Sequence, residues 1–319
     1  DARKVTNYGY GRLANVFNSL EFERLSNAAG PTNGNIVLRD GKTTPKTVGI
    51  IHCVGSRDRN FNNYCSTICC MQSLKFAHLV KERTGATVYE FYIDMRTAAK
   101  SYDEFYQRVL EEGTLMVRGK VAEVTDAARQ PHEEGKLIIQ VEDTFAGKQR
   151  RIPVDMVILS NGMEPRSDAK ETAKKFGISC SADSWFIEKH PKLDPVSTMT
   201  DGVMIAGCAS GPKDIPTSVA QGAAAAARVL DKILQKEVAL EPIRATVDEE
   251  KCSGCRICNN LCPFNAISFI SDLAVTRINP ALCQGCGTCV AACPAGAISG
   301  TGFSNEQILA QIDGLLMVA

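Results

Sequence analysis

The middle of the chain consists of short apolar runs separated by longer segments whose apolar residues recur at helical spacing. The apolar runs predict strands at residues 48–54, 87–93, 115–118, 137–141, 149–153, 156–159 and 202–207. Between the first two strands, a helix is predicted to begin at Ser66 and to end at Gly85. Ser101 to Glu104 has the form of a capping box for the next helix, which Gly113 ends. This order of strands and helices is typical of a parallel, Rossmann-like sheet, to which residues 137–153 add a β-hairpin.

The first 45 residues are polar and rich in Asn and Gly, with one helix predicted near residues 19–25. Residues 9–14 match the G-x-G-x-x-G/A pattern of dinucleotide-binding loops. A phosphate-binding loop of this kind follows an apolar strand, and residues 3–8 do not form one. We therefore expect no nucleotide at this motif.

The last third of the chain begins with a helix of small residues, predicted from Ser218 towards Lys236, and residues 237–244 read as a linker. Residues 304–307 are predicted to cap a last short helix. Its apolar stripe consists of Ile308, Ile312, Leu315 and Leu316. We expect this stripe to pack against its own domain, with docking of a partner as the alternative.

Composition and charge narrow the classes of function. The 319 residues correspond to about two or three domains. Lys plus Arg and Asp plus Glu both number 36, which gives no indication of binding to nucleic acid or to an anionic membrane. Neither a secretory leader nor an apolar run of bilayer length is recognisable, so the fourteen cysteines predict metal ligation in the cytoplasm rather than disulfides. The chain begins at Asp1 without Met, and we interpret it as part of a longer protein.

The most specific pattern lies between residues 252 and 294. Two runs of the form C-x2-C-x2-C-x3-C-P follow each other at an interval of 31 positions, and each leads into Ala-Ile-Ser. In two-cluster ferredoxins the fourth cysteine of such a run ligates the other cluster. One [4Fe–4S] cluster is therefore predicted on Cys252, Cys255, Cys258 and Cys293, and a second on Cys262, Cys283, Cys286 and Cys289. Structural zinc sites are the alternative, but they separate their cysteine pairs by longer spacers. Close approach of the backbone to the clusters is expected at Gly254, Gly285 and Gly287.

Four further cysteines surround the loop after the first predicted strand. Cys53 ends that strand, and Cys65, Cys69 and Cys70 lie where the next helix begins. Cys65 and Cys69 can share one helix face, with Cys70 about 100° further round. A helix N-terminus favours an anionic centre, so these thiolates predict a third [4Fe–4S] cluster. Buried structural cysteines beside a redox-active disulfide pair are the alternative, and the lack of a glycine-rich loop argues against NAD(P)H.

A weaker pattern occupies residues 202–221. A predicted strand ends at Gly207, and Lys213 precedes a helix whose N-terminus suits the N1/C2=O edge of a reduced, anionic flavin. A buried strand and a packed Ala-rich helix explain most of this pattern without a cofactor. Cys180 and Cys208 fit no ligand set and are expected to be small core residues. The four histidines are isolated, and we assign them no role.

Five motifs in this order resemble the iron–sulfur flavoprotein, or A-type, component of the soluble heterodisulfide reductases of methanogenic archaea. They are Cys53-Val-Gly-Ser-Arg-Asp58, Tyr64-Cys-Ser-Thr-Ile-Cys-Cys70, Phe91-Tyr-Ile-Asp-Met-Arg-Thr97, residues 207–216 and the double ferredoxin run. The resemblance spans nearly the whole chain. It implies a partial, thioredoxin-reductase-like, Rossmann-type flavin domain of α/β class, followed by an α+β two-cluster bacterial-type ferredoxin domain.

The resemblance also implies FAD contacts at the Gly207 turn and at a helix start. We name as candidate contacts Asn161, Gly162, Gly207, Cys208, Lys213, Ile215, Pro216 and Thr217. Lys213 is the candidate catalytic residue, which stabilises an anionic flavin or supplies a proton, while a surface lysine is the alternative. Many two-domain flavoenzymes have Asp where Cys208 stands, and the FAD glycine fingerprint of the relatives is absent from this sequence.

In the family that the chain resembles, the flavin bifurcates electron pairs. One electron goes to ferredoxin and the other to the component that reduces the CoM-S-S-CoB heterodisulfide. Expected partners are therefore the other heterodisulfide reductase subunits, ferredoxin, and a hydrogenase or formate dehydrogenase that supplies electrons, within a homodimer of the larger complex. The competing hypotheses are a flavin-free electron-transfer module with three clusters and a pyridine-nucleotide oxidoreductase.

Four domains are expected. Residues 1–46 form a polar lead-in left from an upstream domain, and residues 47–150 form a nucleotide-type α/β subdomain with the Cys53 site. Residues 151–240 form the C-terminal part of the FAD-binding domain, and residues 241–319 form the ferredoxin domain with its C-terminal helix.

Overall fold

The computed structural model of the chain describes residues 2–235, 243–280 and 282–317. The chain divides into two compact units, Asp1–Glu164 and Pro165–Ala319. The strands are β1 (Val16–Asn18), β2 (Thr47–Val54), β3 (Thr87–Tyr92), β4 (Leu115–Arg118), β5 (Val121–Thr125), β6 (Leu137–Asp143), β7 (Lys148–Val154), β8 (Met156–Asn161), β9 (Ala245–Val247), β10 (Ile267–Ile270), β11 (Val275–Ile278) and β12 (Ile298–Gly300). The helices are α1 (Ser19–Ser26), α2 (Cys69–Thr84), α3 (Tyr102–Glu111), α4 (Ala169–Phe176), α5 (Ile215–Gln235), α6 (Ile257–Leu261), α7 (Thr288–Ala292) and α8 (Asn305–Met317).

The first unit is built on a parallel five-stranded sheet with the order β1-β8-β2-β3-β4. Its central strands are continuous apolar runs because both faces are covered. On one face, Leu74 and Phe76 of α2 pack with Ile50 and Ile158. This arrangement confirms the predicted Rossmann-like α/β sheet.

The other face of the sheet is covered by a three-stranded antiparallel sheet, β5-β6-β7. Ile139 and Val154 of this second sheet pack in one apolar cluster with Ile51 and Leu159. A Cβ at Gly49 would lie 2.3 Å from Ile139 Cδ1, so the absence of a side chain there lets the two sheets approach. The predicted β-hairpin is the β6–β7 pair, and β5 is a strand that sequence patterns did not predict.

The first unit extends further along the chain than the expected boundary at residue 150. Strand β7 runs across that position, and β8 lies between β1 and β2 in the central sheet. Strand β1 ties the polar lead-in to the same sheet. The sheet is therefore completed only at Asn161.

Three local predictions differ from the structure. Helix α2 begins at Cys69 rather than at Ser66, because Thr67 has a φ of +54° that no helix accommodates. Ser101 precedes α3 but its side chain forms no capping hydrogen bond, because its φ of +67° is left-handed and an N-cap residue is typically extended. Residues 202–207 form no strand; Met204 makes one isolated bridge to Ser197.

The second unit contains α4 and α5 and then a ferredoxin-like module of two antiparallel strand pairs, β10-β11 and β12-β9. The module is pseudo-symmetric: β9 and α6 recur as β11 and α7 after the interval of 31 positions. The predicted cap of α8 is confirmed, since Ser304 Oγ accepts from Gln307 N–H at 3.2 Å and Gln307 Oε1 accepts from Ser304 N–H at 3.1 Å.

The apolar stripe of α8 does not pack as expected. No residue of this helix is buried, and Leu315 is 75% exposed. Most of the predicted linker at residues 237–244 lies outside the described residues. Within the described part of the chain, no helix combines the length and apolarity needed to span a bilayer.

Candidate metal centres

The two halves of the ferredoxin-like module hold their cysteines in matching positions. Cys258 lies at the second position of α6 and Cys289 at the second position of α7, and both are buried. The cysteines three positions earlier, Cys255 and Cys286, are exposed. Each half thus presents one buried and one outward thiol from the same turn of chain.

Backbone N–H groups point at the sulfur atoms in a matching way. Ala266 N–H donates to Cys262 Sγ at 3.4 Å, and Ala297 N–H donates to Cys293 Sγ at 3.3 Å. Ala245 N–H also donates to Cys283 Sγ at 3.4 Å. Hydrogen bonds to sulfur favour the thiolate form and tune an iron–sulfur cluster.

The structure brings the predicted second ligand set together. The pKa of the Cys289 thiol is raised first by burial and then by the nearby thiols of Cys283, Cys286 and Cys262. Cys262 belongs to the other cysteine run, and the exchange of the fourth ligand between the two clusters stays a prediction of the two-cluster pattern. In the first run, the backbone N–H of Ile257 lowers the pKa of Cys255.

Two glycines allow a close backbone approach within the module. A Cβ at Gly254 would lie 2.3 Å from the Ala274 carbonyl oxygen, and one at Gly285 would lie 2.3 Å from the Ile243 carbonyl oxygen. Both residues have a φ near +65°. These glycines therefore pack against backbone carbonyls. At Gly287 nothing lies within 4 Å of the position of a Cβ.

In the first unit, Cys53, Cys69 and Cys70 form one buried group. Cys53 lies near the end of β2 with a φ of +56°, at an irregularity in the pairing of β2 with β8, while Cys69 and Cys70 are the first residues of α2. Cys69 lies close enough to both other residues for their thiols to perturb one another, and Cys70 Sγ donates to the Asp94 carbonyl oxygen at 3.9 Å. Cys65 is partly exposed in the intervening loop, and its charge acts on Cys70. Together, Cys53, Cys65, Cys69 and Cys70 are called the Cys53 group.

The buried thiols perturb one another. The neighbouring thiols of Cys53 and Cys70 lower the pKa of Cys69, while the neighbouring Cys69, together with burial, raises the pKa of the other two. Several thiolates cannot coexist in this space without a positive centre. The donor set therefore fits a cationic, thiophilic group such as an iron–sulfur cluster.

The loop around this group is held by polar contacts. Arg57 forms a two-bond ion pair with Asp94, and the thiols of Cys53 and Cys65 lie near enough to raise the pKa of Arg57 further. Ser56 Oγ and Ser66 Oγ are 2.6 Å apart and buried. The loop is therefore ordered by contacts of its own.

No three His, Cys, Asp or Glu side chains of residues 2–235, 243–280 and 282–317 are arranged to hold a single metal ion. A [4Fe–4S] cluster takes one cysteine on each iron, so its four ligands surround a larger group.

A buried pair beside the Cys53 group was not predicted from the sequence. His52 Nε2 lies 2.9 Å from Glu90 Oε2, and both side chains are almost completely buried. The available signal was a glutamate in the middle of the apolar run 87–92. His52 therefore has a carboxylate partner that the sequence did not reveal, while its lack of a metal or catalytic role stays a prediction.

Two of the candidate flavin contacts have roles inside the first unit. Asn161 Oδ1 accepts a hydrogen bond from Ser19 N–H at 3.3 Å. A Cβ at Gly162 would lie 2.1 Å from Ser56 Oγ. Packing within the unit therefore accounts for both residue types without a cofactor.

The other candidate flavin contacts lie in the second unit. Gly207 has a φ of +61°, and its N–H donates to Gln221 Oε1 at 2.9 Å. Ile215, Pro216 and Thr217 are exposed at the start of α5, but Asp214 Oδ1 already accepts from Thr217 N–H at 2.9 Å. The start of α5 is accessible, and its N–H groups are partly occupied.

Lys213 and Cys208 lie beside this helix start. Burial lowers the pKa of Lys213, whose Nζ donates to Ser210 Oγ at 2.9 Å. Cys208 Sγ donates to the Lys213 carbonyl oxygen at 3.5 Å. Cys180, expected in a core, packs partly buried beside Ile178 and Ile205.

The chain is similar to known proteins both in one segment and along almost its whole length. The model described as a 4Fe-4S dicluster domain matches residues 244–297. The chain is 46% identical over 319 residues to the A component of H(2):CoB-CoM heterodisulfide,ferredoxin reductase of Methanothermobacter marburgensis, which covers 99% of this chain and 47% of that protein. It is 44% identical over 321 residues to the iron-sulfur A component of CoB--CoM heterodisulfide reductase of Methanocaldococcus jannaschii, with 99% and 48% covered.

Among solved structures, the thioredoxin reductase of T. acidophilum is similar with a TM-score of 0.39 and 16% identity, over 59% of this chain and 53% of that chain. The match to a dicluster domain confirms the predicted ferredoxin domain. The chain spans about half the length of the curated relatives it matches. With 44–46% identity along 99% of its own length, the chain belongs to the family of A-type iron–sulfur components of heterodisulfide reductase, as its motifs had predicted.

Proposed function

We propose that this chain is the electron-carrying part of an iron–sulfur flavoprotein component of heterodisulfide reductase. The observation that carries the proposal is the pairing of two pseudo-symmetric cysteine runs with backbone N–H groups directed at their sulfur atoms. One [4Fe–4S] cluster is assigned to Cys252, Cys255, Cys258 and Cys293, and another to Cys262, Cys283, Cys286 and Cys289. The clusters supply transfer of single electrons when bound.

A third cluster is assigned to Cys53, Cys65, Cys69 and Cys70. The proximity of three of these thiols in a buried group, with the charge of Cys65 acting on Cys70, supports this assignment. The loop bears these cysteines where a parallel α/β domain would hold a nucleotide at the carboxyl ends of its strands. Here the chain uses sulfur ligands in place of a glycine-rich phosphate loop.

We propose that the second unit contributes to an FAD site through Gly207, Cys208, Lys213, Ile215, Pro216 and Thr217. The accessible start of α5 and the glycine turn support this part of the proposal. Lys213 would place a partly desolvated ammonium near the flavin, where it stabilises negative charge or delivers a proton. Asn161 and Gly162 are retained as contacts on the strength of the family resemblance alone.

The proposed reaction is electron bifurcation within a homodimeric complex in the cytoplasm. Electrons would enter from a hydrogenase or formate dehydrogenase and leave to ferredoxin and to the subunits that reduce the heterodisulfide. The names of relatives, which include the A component of H(2)/formate:CoB-CoM heterodisulfide,ferredoxin reductase of Methanococcus maripaludis, support these partners. That protein is 44% identical over 272 residues, with 84% of this chain and 41% of that protein covered.

A second candidate function is a flavin-free electron-transfer module. It is favoured by the internal roles of Asn161 and Gly162 and by the occupied N–H of Thr217. In this module, as in the flavoprotein component, the clusters would transfer single electrons.

Iron and flavin analysis of the full-length protein, purified without oxygen, separates these possibilities. Cys258→Ala is expected to lower the iron content by about four per chain, the content of one [4Fe–4S] cluster, while the matched variant Cys208→Ala leaves it unchanged. If FAD is bound, Lys213→Met shifts the flavin potential to a more negative value because a positive charge is lost. Iron without flavin supports the second candidate, and zinc in place of iron contradicts both.

A further inference from the structure

A carboxylate and an imidazole are buried together beside the Cys53 group. Glu90 is fully buried in β3 and His52 is 6% exposed in β2. His52 Nε2 and Glu90 Oε2 are 2.9 Å apart. Burying a carboxylate in an apolar sheet costs free energy that a single hydrogen bond only partly offsets. Packing alone gives no reason for a glutamate at this position.

The pair lies on the face of the sheet that α2 covers. Glu90 is aligned with Ile50 of the neighbouring strand, and Ile50 packs against Leu74 of α2. Residues two apart along a strand share a face, so His52 lies on the same side as Ile50. Cys69 is the buried first residue of α2, the helix that covers this face. After the larger effects of the Cys53 and Cys70 thiols, His52 also lowers the pKa of Cys69.

One atom of each partner has no hydrogen bond. They are His52 Nδ1 and Glu90 Oε1, both buried within the described part of the chain. Buried polar atoms without a partner are uncommon in folded proteins and call for a specific reason. Histidines that ligate a metal commonly give their second ring N–H to a carboxylate, which fixes the orientation of the ring. The His52–Glu90 pair has the same hydrogen bond to a carboxylate, and His52 lies directly before Cys53 in the chain.

We propose that Glu90 is a positioning residue that, through His52, sets the reduction potential of the cluster held by the Cys53 group. This inference rests on the third cluster of the proposed function. Glu90 holds the imidazole by its Nε2 edge and leaves the buried Nδ1 without a hydrogen bond. Its negative charge acts through a medium of low dielectric and opposes the addition of one electron to the cluster, while no bond to Glu90 forms or breaks. Glu90 therefore holds the cluster at a lower potential than an uncharged side chain would.

The test is a redox titration of the full-length, iron-loaded protein, followed by electron paramagnetic resonance. The cluster is identified by the signal that disappears in Cys69→Ala. Glu90→Gln keeps the shape of the side chain and removes its charge. We expect unchanged iron content and a shift to a more positive potential, with at least a tenfold change in the ratio of oxidised to reduced cluster at a fixed potential, which is about 59 mV.

Two further variants make the test specific. Glu90→Asp keeps the charge but withdraws it from His52 by one methylene, so it is expected to shift the potential in the same direction by less. It also keeps the inference testable if Glu90→Gln does not fold. Glu133→Gln is the matched control, since Glu133 is also buried but is paired with Arg151 at 2.9 Å, and it is expected to leave the potential unchanged.

The inference is overturned if the iron-loaded Glu90 variants have the potential of the parent protein or a more negative one. An equal shift in Glu133→Gln would overturn it as well, because the effect would then be general. Failure of the proposed function is a separate result: the parent protein would lack any cluster signal that depends on Cys69.

Discussion

Replacing Gly254 by alanine tests the backbone packing that brings the cysteines of the ferredoxin-like module together. The new Cβ would lie 2.3 Å from the Ala274 carbonyl oxygen, a distance at which one of the two chain segments has to move. The residue would also have to adopt a φ of +65°. The left-handed conformation costs about 1–2 kcal/mol for a residue with a side chain. Relief of the steric overlap adds about 1–3 kcal/mol.

Gly287 of the same module provides a control, because alanine there would have the same backbone strain but no steric overlap of its Cβ. Gly287 has a φ of +75°, and nothing lies within 4 Å of its Cβ position. The matching residue in the other half is Arg256, at a φ of +61°, so this position tolerates a side chain. Gly287→Ala should therefore cost only the conformational term of about 1–2 kcal/mol.

The two variants are compared by chemical denaturation of the iron-loaded protein without oxygen, followed through the loss of cluster absorbance. Gly254→Ala is expected to be less stable than Gly287→Ala by about 1–3 kcal/mol and to lose iron earlier. Gly285→Ala should behave like Gly254→Ala, since its Cβ would meet the Ile243 carbonyl oxygen at the same distance, 2.3 Å. Equal denaturation midpoints for Gly254→Ala and Gly287→Ala would refute the reasoning.

Two other predictions concern ligand crossover and alkaline stability. Cys293→Ala should remove about four irons per chain and abolish the cluster of the first cysteine run, whereas Cys180→Ala should remove none. The two clusters are distinguished by their resonance signals. Loss of the second-run cluster in Cys293→Ala would contradict the exchange of the fourth ligand between the two runs. Tyr8 Oη donates to the Val121 carbonyl oxygen at 3.0 Å, and burial is the main factor that raises the pKa of Tyr8 to about 12 from its usual 10. The resulting stability is present below pH 10 and is lost as the pH rises towards about 12, by about 2–3 kcal/mol in all, so denaturation of Tyr8→Phe should show a smaller loss over this range.

The sequence predicted those elements whose pattern is local. Strands β2 and β8 are unbroken apolar runs, as buried parallel strands are, and the ferredoxin-like module follows from an exact repeat of cysteine spacing. Both patterns can be recognised in the sequence without knowing how the rest of the chain folds. Local sequence patterns gave wrong elements where the backbone conformation or the lack of a pairing strand determined the structure. Residues 101–104 have the sequence of a capping box, but the backbone of Ser101 is left-handed. Residues 202–207 are apolar, but their only strand-like pairing is the isolated bridge between Met204 and Ser197.

Contacts between residues far apart in the sequence could not be predicted from these local patterns. His52 and Glu90 are 38 positions apart and meet only because β2 and β3 are neighbours. The contacts of Gly254 and Gly285 with carbonyl groups of other segments could not be predicted from the cysteine spacing, and their close approach to the clusters stays a prediction. For the Cys53 group, the sequence identified the four cysteines, and the structure added the left-handed turn at Cys53 that brings its thiol to Cys69.

The most direct test of the account is the iron content of the full-length protein when Cys69 is replaced. The central claim is that the first unit holds an iron–sulfur cluster where related folds hold a nucleotide. Cys69→Ala is predicted to lose about four irons per chain, together with one resonance signal, while the partly buried Cys208→Ala loses none. Full iron content in Cys69→Ala would contradict the claim.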